Sequence, residues 1–426
     1  ADTLGIAVGT ANSAYLEAER RGLVRRHVGQ GTFVAANAAR GLASQGRIDL
    51  SLNQPPLDVA APLVRKLFAG LVEDADAAQL MGYPTRREST RYRQAVALWL
   101  ARSTGLPRVQ ADDLLPSQGA TQGLLAVLDS LLEPGAKVLC EAITYAGFKV
   151  AVRQLGGEPE AVAMDREGMV PEALEERARA TGARVVLLCP TLQNPTGAVA
   201  SSQRRQALAD VARRNDLWLI EDDVYGSLPE AGQRPAPIAA LLPDRVFYVG
   251  SASKAIAPGL RAGWIIPPVA MKERVAAALN ARNAFASPFG CPQMMAGASP
   301  FGWLAFAKLC ETRLADDIII RIRSEAVARM ALAEQWLGEC LQTPGGKQSL
   351  HAWLPLAADQ AESLHMALAR QEIHTTPPSA PMLSQPPSGL RLCLGGAESR
   401  DALEQALSVI AGELRQLQAG GSYWQP

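Results

Sequence analysis

Apolar residues recur along the middle of the chain in short runs separated by longer amphipathic stretches. Five runs between about residues 115 and 270 are rich in β-branched and aliphatic side chains: Lys137–Glu141, Arg184–Pro190, Trp218–Asp222, Val246–Gly250 and Ala262–Ile266. Several are almost continuously apolar, which is typical of strands covered by helices on both faces. The pattern predicts alternating strands and helices, and therefore an α/β fold with a mainly parallel sheet.

The stretches between and after these runs predict helices. Apolar positions with a helical period indicate helices over Thr121–Leu132 and Ser201–Arg214. From about residue 320 onward the pattern predicts a long amphipathic helix, then a mixed segment that contains His351–Leu356 and Arg391–Leu394, and a last helix over Asp401–Gln416. This change of pattern indicates a separate, smaller α+β lobe.

The first 47 residues form a different region. Thr10 to Gly22 predicts a short helix that ends at Gly22, and Leu23–His27 can pair with Thr32–Val34 as a hairpin. Residues 37–47 read as an Ala/Gly/Ser/Arg linker. A helix followed by a two-stranded wing is the second half of a winged helix-turn-helix, although such a hairpin could also simply pack on a larger domain.

Composition narrows the class of protein without defining its chemistry. The 426 residues include 42 basic and 42 acidic side chains, so no net charge draws the protein towards nucleic acid or anionic lipid, and any DNA contact must be local. No apolar run approaches the roughly 20 residues that cross a bilayer. The six cysteines form no CxxC pair. We therefore expect a cytoplasmic protein with buried, reduced thiols and no membrane anchor.

Five local motifs follow one another in this α/β region, where ligands bind beyond the carboxyl ends of the strands. They are the glycine turn Ser117–Gly123, Tyr145, the turn Asn194–Gly197, the acidic cluster Glu221–Tyr225, and the segment Ser251–Trp264 with Lys254 and Arg261. A glycine turn that opens a helix can hold an anion, although it is more often a plain cap. Tyr145 could stack on a planar ring, and buried acids need a cation.

The order of residues from Ser251 through Lys254 to Arg261 and Trp264 resembles the lysine-and-arginine signature of the fold-type-I pyridoxal 5′-phosphate (PLP) family, which includes aspartate and kynurenine aminotransferases. With the other four motifs, the resemblance covers residues from about 48 to 416. It implies a PLP domain over 48–426, with a large lobe over about 90–310 and a small lobe over about 48–89 plus 311–426.

The resemblance also implies a role for each motif residue. Lys254 would hold PLP as an internal aldimine and move protons at the substrate α-carbon. Asp222 would pair with the pyridine nitrogen, Tyr225 and Asn194 would bind the phenolic oxygen, and Tyr145 would cover one ring face. Five residues would hold the phosphate: Ala120, Thr121, Ser251, Ser253 and Arg261.

Two further residues carry expectations about the substrate and the assembly. Arg391, with Asn194, would bind the substrate α-carboxylate, for which a planar guanidinium is suited. Tyr83 resembles the tyrosine that reaches the phosphate of a neighbouring subunit, which implies a homodimer with shared active sites. We expect no metal, and we assign no catalytic role to His27, His351, His365 or His374.

The N-terminal residues 1–36, with Gly29-Gln30-Gly31-Thr32-Phe33-Val34 at the hairpin tip, resemble a partial GntR-type DNA-binding domain. Joined to a fold-type-I domain, this is the arrangement of MocR-type transcriptional regulators. The resemblance implies that Thr10 and Asn12 lie in the major groove of DNA, while four residues contact the DNA backbone: Arg25, Arg26, Gly29 and Gly31. The first helix of the motif is missing and the chain starts at Ala1, so we expect that an N-terminal portion of the natural protein is absent.

Two functions remain open from sequence alone. The first is a MocR-type regulator whose aminotransferase-like domain binds an amino acid or amine through an aldimine on Lys254 and retains transaminase residues. The second is a metabolic PLP-dependent aminotransferase of the aspartate/kynurenine class with a vestigial DNA-binding remnant. Residues 1–36 favour the regulator. The effector, the operator and whether this chain binds DNA are not given by the sequence.

Overall fold

The computed structural model describes residues 7–20, 24–27, 31–34, 47–73, 85–107, 109–230, 232–282, 299–383 and 388–420. Most of the expected linker, the hairpin tip with Gly29, and Tyr83 lie outside the described residues. The backbone divides into two compact units, Ala1–Ile48 and Asp49–Pro426.

The N-terminal unit contains one helix and one hairpin in its described part. Helix α1 spans Val8–Arg20, and strands β1 (Val24–His27) and β2 (Gly31–Val34) pair antiparallel with Arg26 opposite Thr32. The backbone therefore has the helix and hairpin that the sequence predicts. The DNA contacts expected of Thr10, Asn12, Arg25, Arg26 and Gly31 stay a prediction.

The larger unit is built on a seven-stranded sheet within the described residues. Its strand order is β4 (Leu115–Ser117), β12 (Gly263–Ile266), β11 (Val246–Ser251), β10 (Trp218–Asp222), β9 (Val185–Leu188), β5 (Lys137–Glu141) and β6 (Glu158–Val162). The strands from β11 to β6 run parallel, whereas β12 is antiparallel to both of its neighbours. The predicted α/β fold with a mainly parallel sheet is thereby confirmed.

Both faces of this sheet are buried, which explains the nearly continuous apolar runs. In β9, Val185 and Leu187 belong to one apolar cluster, while Val186 and Leu188 belong to another. The first cluster includes residues of α4 (Ala120–Leu131), α5 (Ala146–Gln154) and α9 (Lys272–Arg282), and the second includes residues of α6 (Pro171–Thr181), α7 (Ser202–Arg214) and the short α8 (Ile238–Leu241). A strand that is covered on both sides has no position for an exposed polar side chain.

A third apolar cluster packs four further helices together. It includes residues of α2 (Leu57–Glu73), α3 (Arg86–Ser103), α10 (Pro300–Glu311) and α11 (Leu314–Leu337). At its centre the Trp99 and Phe306 rings meet edge to face with centroids 5.2 Å apart. Helix α3 begins with a capping box, in which the Thr85 hydroxyl accepts from the Glu88 N–H and the Glu88 carboxylate accepts from the Thr85 N–H.

The C-terminal part of the larger unit combines a two-stranded sheet with helices. Strands β13 (His351–Pro355) and β15 (Gly389–Cys393) are antiparallel, with Trp353 opposite Arg391, beside α12 (Ala358–Ala369) and α13 (Arg400–Gly420). The remaining strands are short: β3 (Ile48–Asp49), β7 (Met164–Asp165), β8 (Gly168–Met169) and β14 (Ile373–His374).

Candidate active site

A cavity of about 340 Å³ opens at the carboxyl ends of the parallel strands. Asn194 follows β9, Asp222 ends β10, and Ser251 ends β11, so three neighbouring strands direct polar residues to one place. Eleven of the residues expected at the site line this cavity: Ala120, Thr121, Tyr145, Asn194, Asp222, Tyr225, Ser251, Ser253, Lys254, Arg261 and Arg391. The structure thus brings together motifs that are separated by up to 271 residues in the chain.

One end of the cavity is shaped by the glycine turn before α4. Gly119 caps the helix with a φ of +86°, a conformation that glycine adopts without steric cost, and the helix begins at Ala120. The Arg261 guanidinium donates to the Gln118 carbonyl over 2.8 Å and lies directly beside Gly119. A helix N-terminus and a guanidinium therefore face the same small space, which also contains Ser251 and Ser253.

Lys254 lies deep in the cavity, and its Nζ donates a hydrogen bond to the Asn53 carbonyl oxygen. Burial lowers the pKa of the Lys254 amine from its usual value, and the nearby Arg391 and Arg261 lower it further. A lowered pKa increases the fraction of neutral amine, which is the nucleophilic form.

The acidic cluster at the end of β10 divides into two structural carboxylates and one that faces the cavity. Glu221 lies 3.5 Å from the buried Arg205 and also accepts from two backbone N–H groups at the start of α8. Asp223 accepts from Arg234 over 2.8 Å. Asp222 lines the cavity and has no salt-bridge partner among the described residues. Burial raises the pKa of Asp222 to about 7, an effect that the Lys254 charge opposes.

Arg391 also lines the cavity and is held by hydrogen bonds to three residues. Its Nη1 donates to Asn194 Oδ1 over 2.8 Å, and its Nη2 donates to the Ser51 carbonyl over 2.9 Å and to Thr376 Oγ1 over 2.6 Å. Its Nε is buried without a partner in the described part of the chain. Strand β15 therefore places Arg391 in the wall of the cavity.

Aromatic residues border the cavity on two sides. Tyr145 meets Phe148 edge to face with centroids 5.5 Å apart, and it stays 37% exposed, so one face of its ring is available. Tyr225 is buried, which raises the pKa of its phenol well above the usual value, and its oxygen accepts from Asn53 Nδ2 over 2.5 Å. The Tyr225 phenol is therefore neutral and can donate its proton.

Sequence reasoning missed several residues that shape the site. Ser51, Asn53 and Thr376 reach it from outside the strand–helix region, and no spacing pattern connects them with Lys254. His351 packs its ring 5.5 Å from that of Tyr225, and its Nε2 is 3.0 Å from the Gln193 carbonyl oxygen. Burial lowers the pKa of His351 to about 3, so this ring is neutral at neutral pH.

The cavity residues match the groups that PLP carries. Three cations line it, Lys254, Arg261 and Arg391, and none forms a salt bridge within the described residues. A side chain added at Gly263 would meet the Gly119 backbone at 2.4 Å, so β12 packs directly against the glycine turn, and the helix end beside it would suit a phosphate. Asp222 would suit a ring nitrogen as its acidic partner. Within the described residues, no helix is long and apolar enough to cross a membrane.

Comparison with known proteins agrees with this site. The family of class I and II aminotransferases matches residues 45–410. The HTH-type transcriptional regulator YdeF of Bacillus subtilis is 29% identical over 295 residues, which cover 68% of this chain and 63% of the relative. Further relatives are also described as HTH-type regulators. Aromatic-amino-acid aminotransferase 1 of Thermococcus litoralis is 30% identical over 216 residues, 49% of this chain and 50% of the relative.

The fold has a counterpart among solved structures. A kynurenine aminotransferase from Pyrococcus horikoshii superposes with a TM-score of 0.74 at 23% identity, covering 90% of this chain and 95% of that chain. The matches span about a third to two thirds of the length of the curated relatives. Since the family match covers most of the sequence and PLP is the cofactor of that family, the chain belongs to the class I and II aminotransferases and contains a PLP-dependent aminotransferase-like domain.

Proposed function

We propose that this protein is a PLP-dependent regulator of the MocR type, whose aminotransferase-like domain binds an amino acid or amine at Lys254. The observation that carries the proposal is the convergence of Lys254, Asp222 and Arg391 on one cavity at the carboxyl edge of the sheet. A lysine, an acid and an arginine in one cavity supply a nucleophile, a partner for a ring nitrogen and a partner for a carboxylate.

Lys254 acts twice in this proposal. Lys254 would hold the cofactor covalently, since its amine can condense with the PLP aldehyde and release water, and burial lowers the pKa of this amine. Once an amino compound has displaced it, the same amine would be the base that takes a proton from the substrate α-carbon. PLP supplies an electron sink that stabilises the negative charge left at that carbon.

The other residues hold the cofactor in one orientation. Asp222 pairs with the ring nitrogen, Asn194 and Tyr225 donate to the phenolic oxygen, and Tyr145 covers one face of the ring. The phosphate is held by the end of α4 together with five residues: Ala120, Thr121, Ser251, Ser253 and Arg261.

Arg391 binds the carboxylate of an amino acid ligand. Its hydrogen bonds to Asn194, Ser51 and Thr376 fix the plane of the guanidinium, and no carboxylate pairs with it among the described residues. A ligand carboxylate in the cavity would supply the missing negative charge.

The N-terminal unit would carry the response to DNA. Its helix and hairpin have the order expected for the recognition helix and wing, and several relatives are described as HTH-type regulators. In this proposal Thr10 and Asn12 face the major groove, and Arg25, Arg26 and the tip glycines Gly29 and Gly31 contact phosphates. Tyr83 would reach the phosphate site of a second subunit in a homodimer.

A metabolic aminotransferase is the second candidate, because the described cavity contains the full set of residues expected for transamination and one relative is described as an aromatic-amino-acid aminotransferase. A panel of amino acids, with and without 2-oxoacids, separates the two functions by the visible absorbance of the bound cofactor. We expect each amino acid to change the absorbance of the bound cofactor once, without sustained turnover, because a sensor needs only to bind its ligand. Sustained turnover at a rate typical of enzymes, about 1 per second or more, would instead favour the metabolic function.

A further inference from the structure

Residues 49–54, here called the strap, contribute Ser51, Leu52 and Asn53 to the cavity wall and contact its reactive groups. The Lys254 amine donates to the Asn53 carbonyl, and Asn53 Nδ2 donates to the Tyr225 oxygen over 2.5 Å. Two residues earlier, the Ser51 carbonyl accepts from Arg391. One short segment thus touches three residues to which the proposed function assigns chemistry.

The backbone of the strap is fixed independently of the Asn53 side chain. Leu50 donates to the His374 carbonyl over 2.7 Å and accepts from the Cys393 N–H over 2.9 Å. A side chain added at Gly395 would meet the Gln54 carbonyl at 2.0 Å, so the two backbones are in direct contact. Replacing the Asn53 side chain should therefore leave the strap in place.

The Asn53 carboxamide has one partner among the described residues, and this partner is Tyr225. Asn53 Oδ1 is buried and accepts no hydrogen bond from the described part of the chain. Because the Tyr225 oxygen accepts from Asn53, its own proton points elsewhere, and within the described ranges it has no acceptor. The phenol proton is left for a group inside the cavity, where the proposed function places the phenolic oxygen of PLP.

We infer that Asn53 is a positioning residue for the cofactor: its carboxamide directs the Tyr225 hydroxyl proton into the cavity and strengthens it as a donor. This inference rests on the proposed function of the site. This role depends on the Asn53 side chain, which contacts Tyr225. The contact with Lys254 is made by the Asn53 backbone carbonyl, so a substitution at Asn53 would leave it in place.

Three variants test the role: Asn53→Ala removes the donor, Asn53→Asp replaces the donor with an acceptor of the same shape, and Gln54→Ala is a matched control on the same strap. Each cofactor-free protein is titrated with PLP, and the visible absorbance of each loaded protein is followed against pH. Reduction with borohydride and peptide mass analysis then locate the site of attachment.

We expect Asn53→Ala to weaken PLP binding about three- to tenfold, the usual effect of one lost hydrogen bond. Asn53→Asp should weaken it further, because the carboxylate draws the Tyr225 proton towards itself. Both substitutions should move the midpoint of the pH-dependent absorbance change to higher pH. A weaker donor leaves more negative charge on the phenolic oxygen of PLP, and this charge holds the proton on the nitrogen of the Lys254–PLP linkage more tightly. The negative charge that Asn53→Asp introduces should raise the midpoint further. The charge of Asp222 acts in this direction at Lys254, whereas the charges of Arg261 and Arg391 oppose it. Gln54→Ala should match the unsubstituted protein.

The outcomes separate this inference from the proposed function. If borohydride attaches no cofactor to Lys254 in the unsubstituted protein, the proposed function fails. If attachment occurs at Lys254 but both Asn53 variants bind PLP and titrate like the control, the role of Asn53 is wrong and the proposed function stands. Thermal unfolding of each variant confirms that it is folded.

Discussion

A buried lysine that has no carboxylate salt-bridge partner is costly to keep, and Lys254 is such a residue within the described part of the chain. Under the proposed function, the cofactor uses this amine. We predict that Lys254→Ala abolishes covalent attachment of PLP, measured by borohydride reduction and peptide mass analysis, while Lys347→Ala, a change at an exposed lysine, leaves attachment intact. Attachment that persists in the Lys254 variant would show that another amine holds the cofactor.

Arg391 provides a second test at a single residue. A planar guanidinium can bind a carboxylate through two parallel hydrogen bonds, which lysine cannot reproduce. We predict that Arg391→Lys weakens the binding of an amino acid by about ten- to hundredfold, measured from the concentration dependence of the cofactor absorbance.

The control for Arg391 is a matched ligand. An amine that lacks only the carboxylate of the same amino acid should bind the variant and the unsubstituted protein with similar affinity. Equal losses for both ligands would mean that the substitution disturbs the cavity in general and that Arg391 does not recognise the carboxylate.

The position of some site residues could be predicted from the sequence, whereas that of others could not. Asp222 ends a recognisable strand, and Asn194 and Lys254 lie shortly after two others. Parallel strands bring their carboxyl ends to one edge, so the proximity of these residues could be expected. Asn53 and Thr376 come from segments with no periodic pattern. They reach Tyr225 and Arg391 only through tertiary packing, which sequence spacing does not encode.

At the scale of elements, the glycine turn and helix α4 form the proposed phosphate site. A Cβ added at Gly263 would lie 2.4 Å from the backbone of Gly119, so one of the two backbones must shift to make room for it. We predict that Gly263→Ala weakens PLP binding at least tenfold and destabilises the protein by about 1–3 kcal/mol, measured by titration and by chemical unfolding.

Gly259→Ala is the control for this element. It lies four residues earlier, and a Cβ added there would meet nothing within 4 Å. We expect this variant to bind PLP like the unsubstituted protein. If both alanine variants bind equally well, the close approach of β12 to the glycine turn does not shape the phosphate site.

The predicted elements show why some strands were recognised and others were not. Strands β9, β10 and β11 are apolar and buried on both faces, so their limits could be predicted to within one or two residues. Strand β6 has the sequence Glu-Pro-Glu-Ala-Val at a sheet edge and is buried only at Val162, and β4 is a three-residue strand with a proline. Edge strands with polar residues and proline carry little apolar pattern.

At the scale of the whole molecule, equal numbers of acidic and basic residues do not mean that every buried acid has a cation beside it. Glu141, which ends β5, accepts from the Cys189 N–H over 3.3 Å and from Gln193 Nε2 over 3.1 Å, and no cation pairs with it among the described residues. Burial raises the pKa of Glu141 to about 8, and the nearby charge of Asp222 acts in the same direction.

This buried acid predicts how global stability depends on pH. Between the ordinary glutamate pKa and about 8, the folded protein holds a proton that the unfolded chain releases, so the free energy of unfolding falls as pH rises through this window. Each pH unit within this window lowers the free energy of unfolding by up to about 1.4 kcal/mol.

Glu141→Gln removes the titration and keeps an acceptor for the Cys189 N–H. We therefore predict that cofactor-free Glu141→Gln is similar to the unsubstituted protein at pH 5 and increasingly more stable by pH 8, measured by chemical unfolding. The exposed substitution Glu172→Gln should follow the unsubstituted protein throughout, and parallel curves for Glu141→Gln would show that Glu141 is ionised in the folded state.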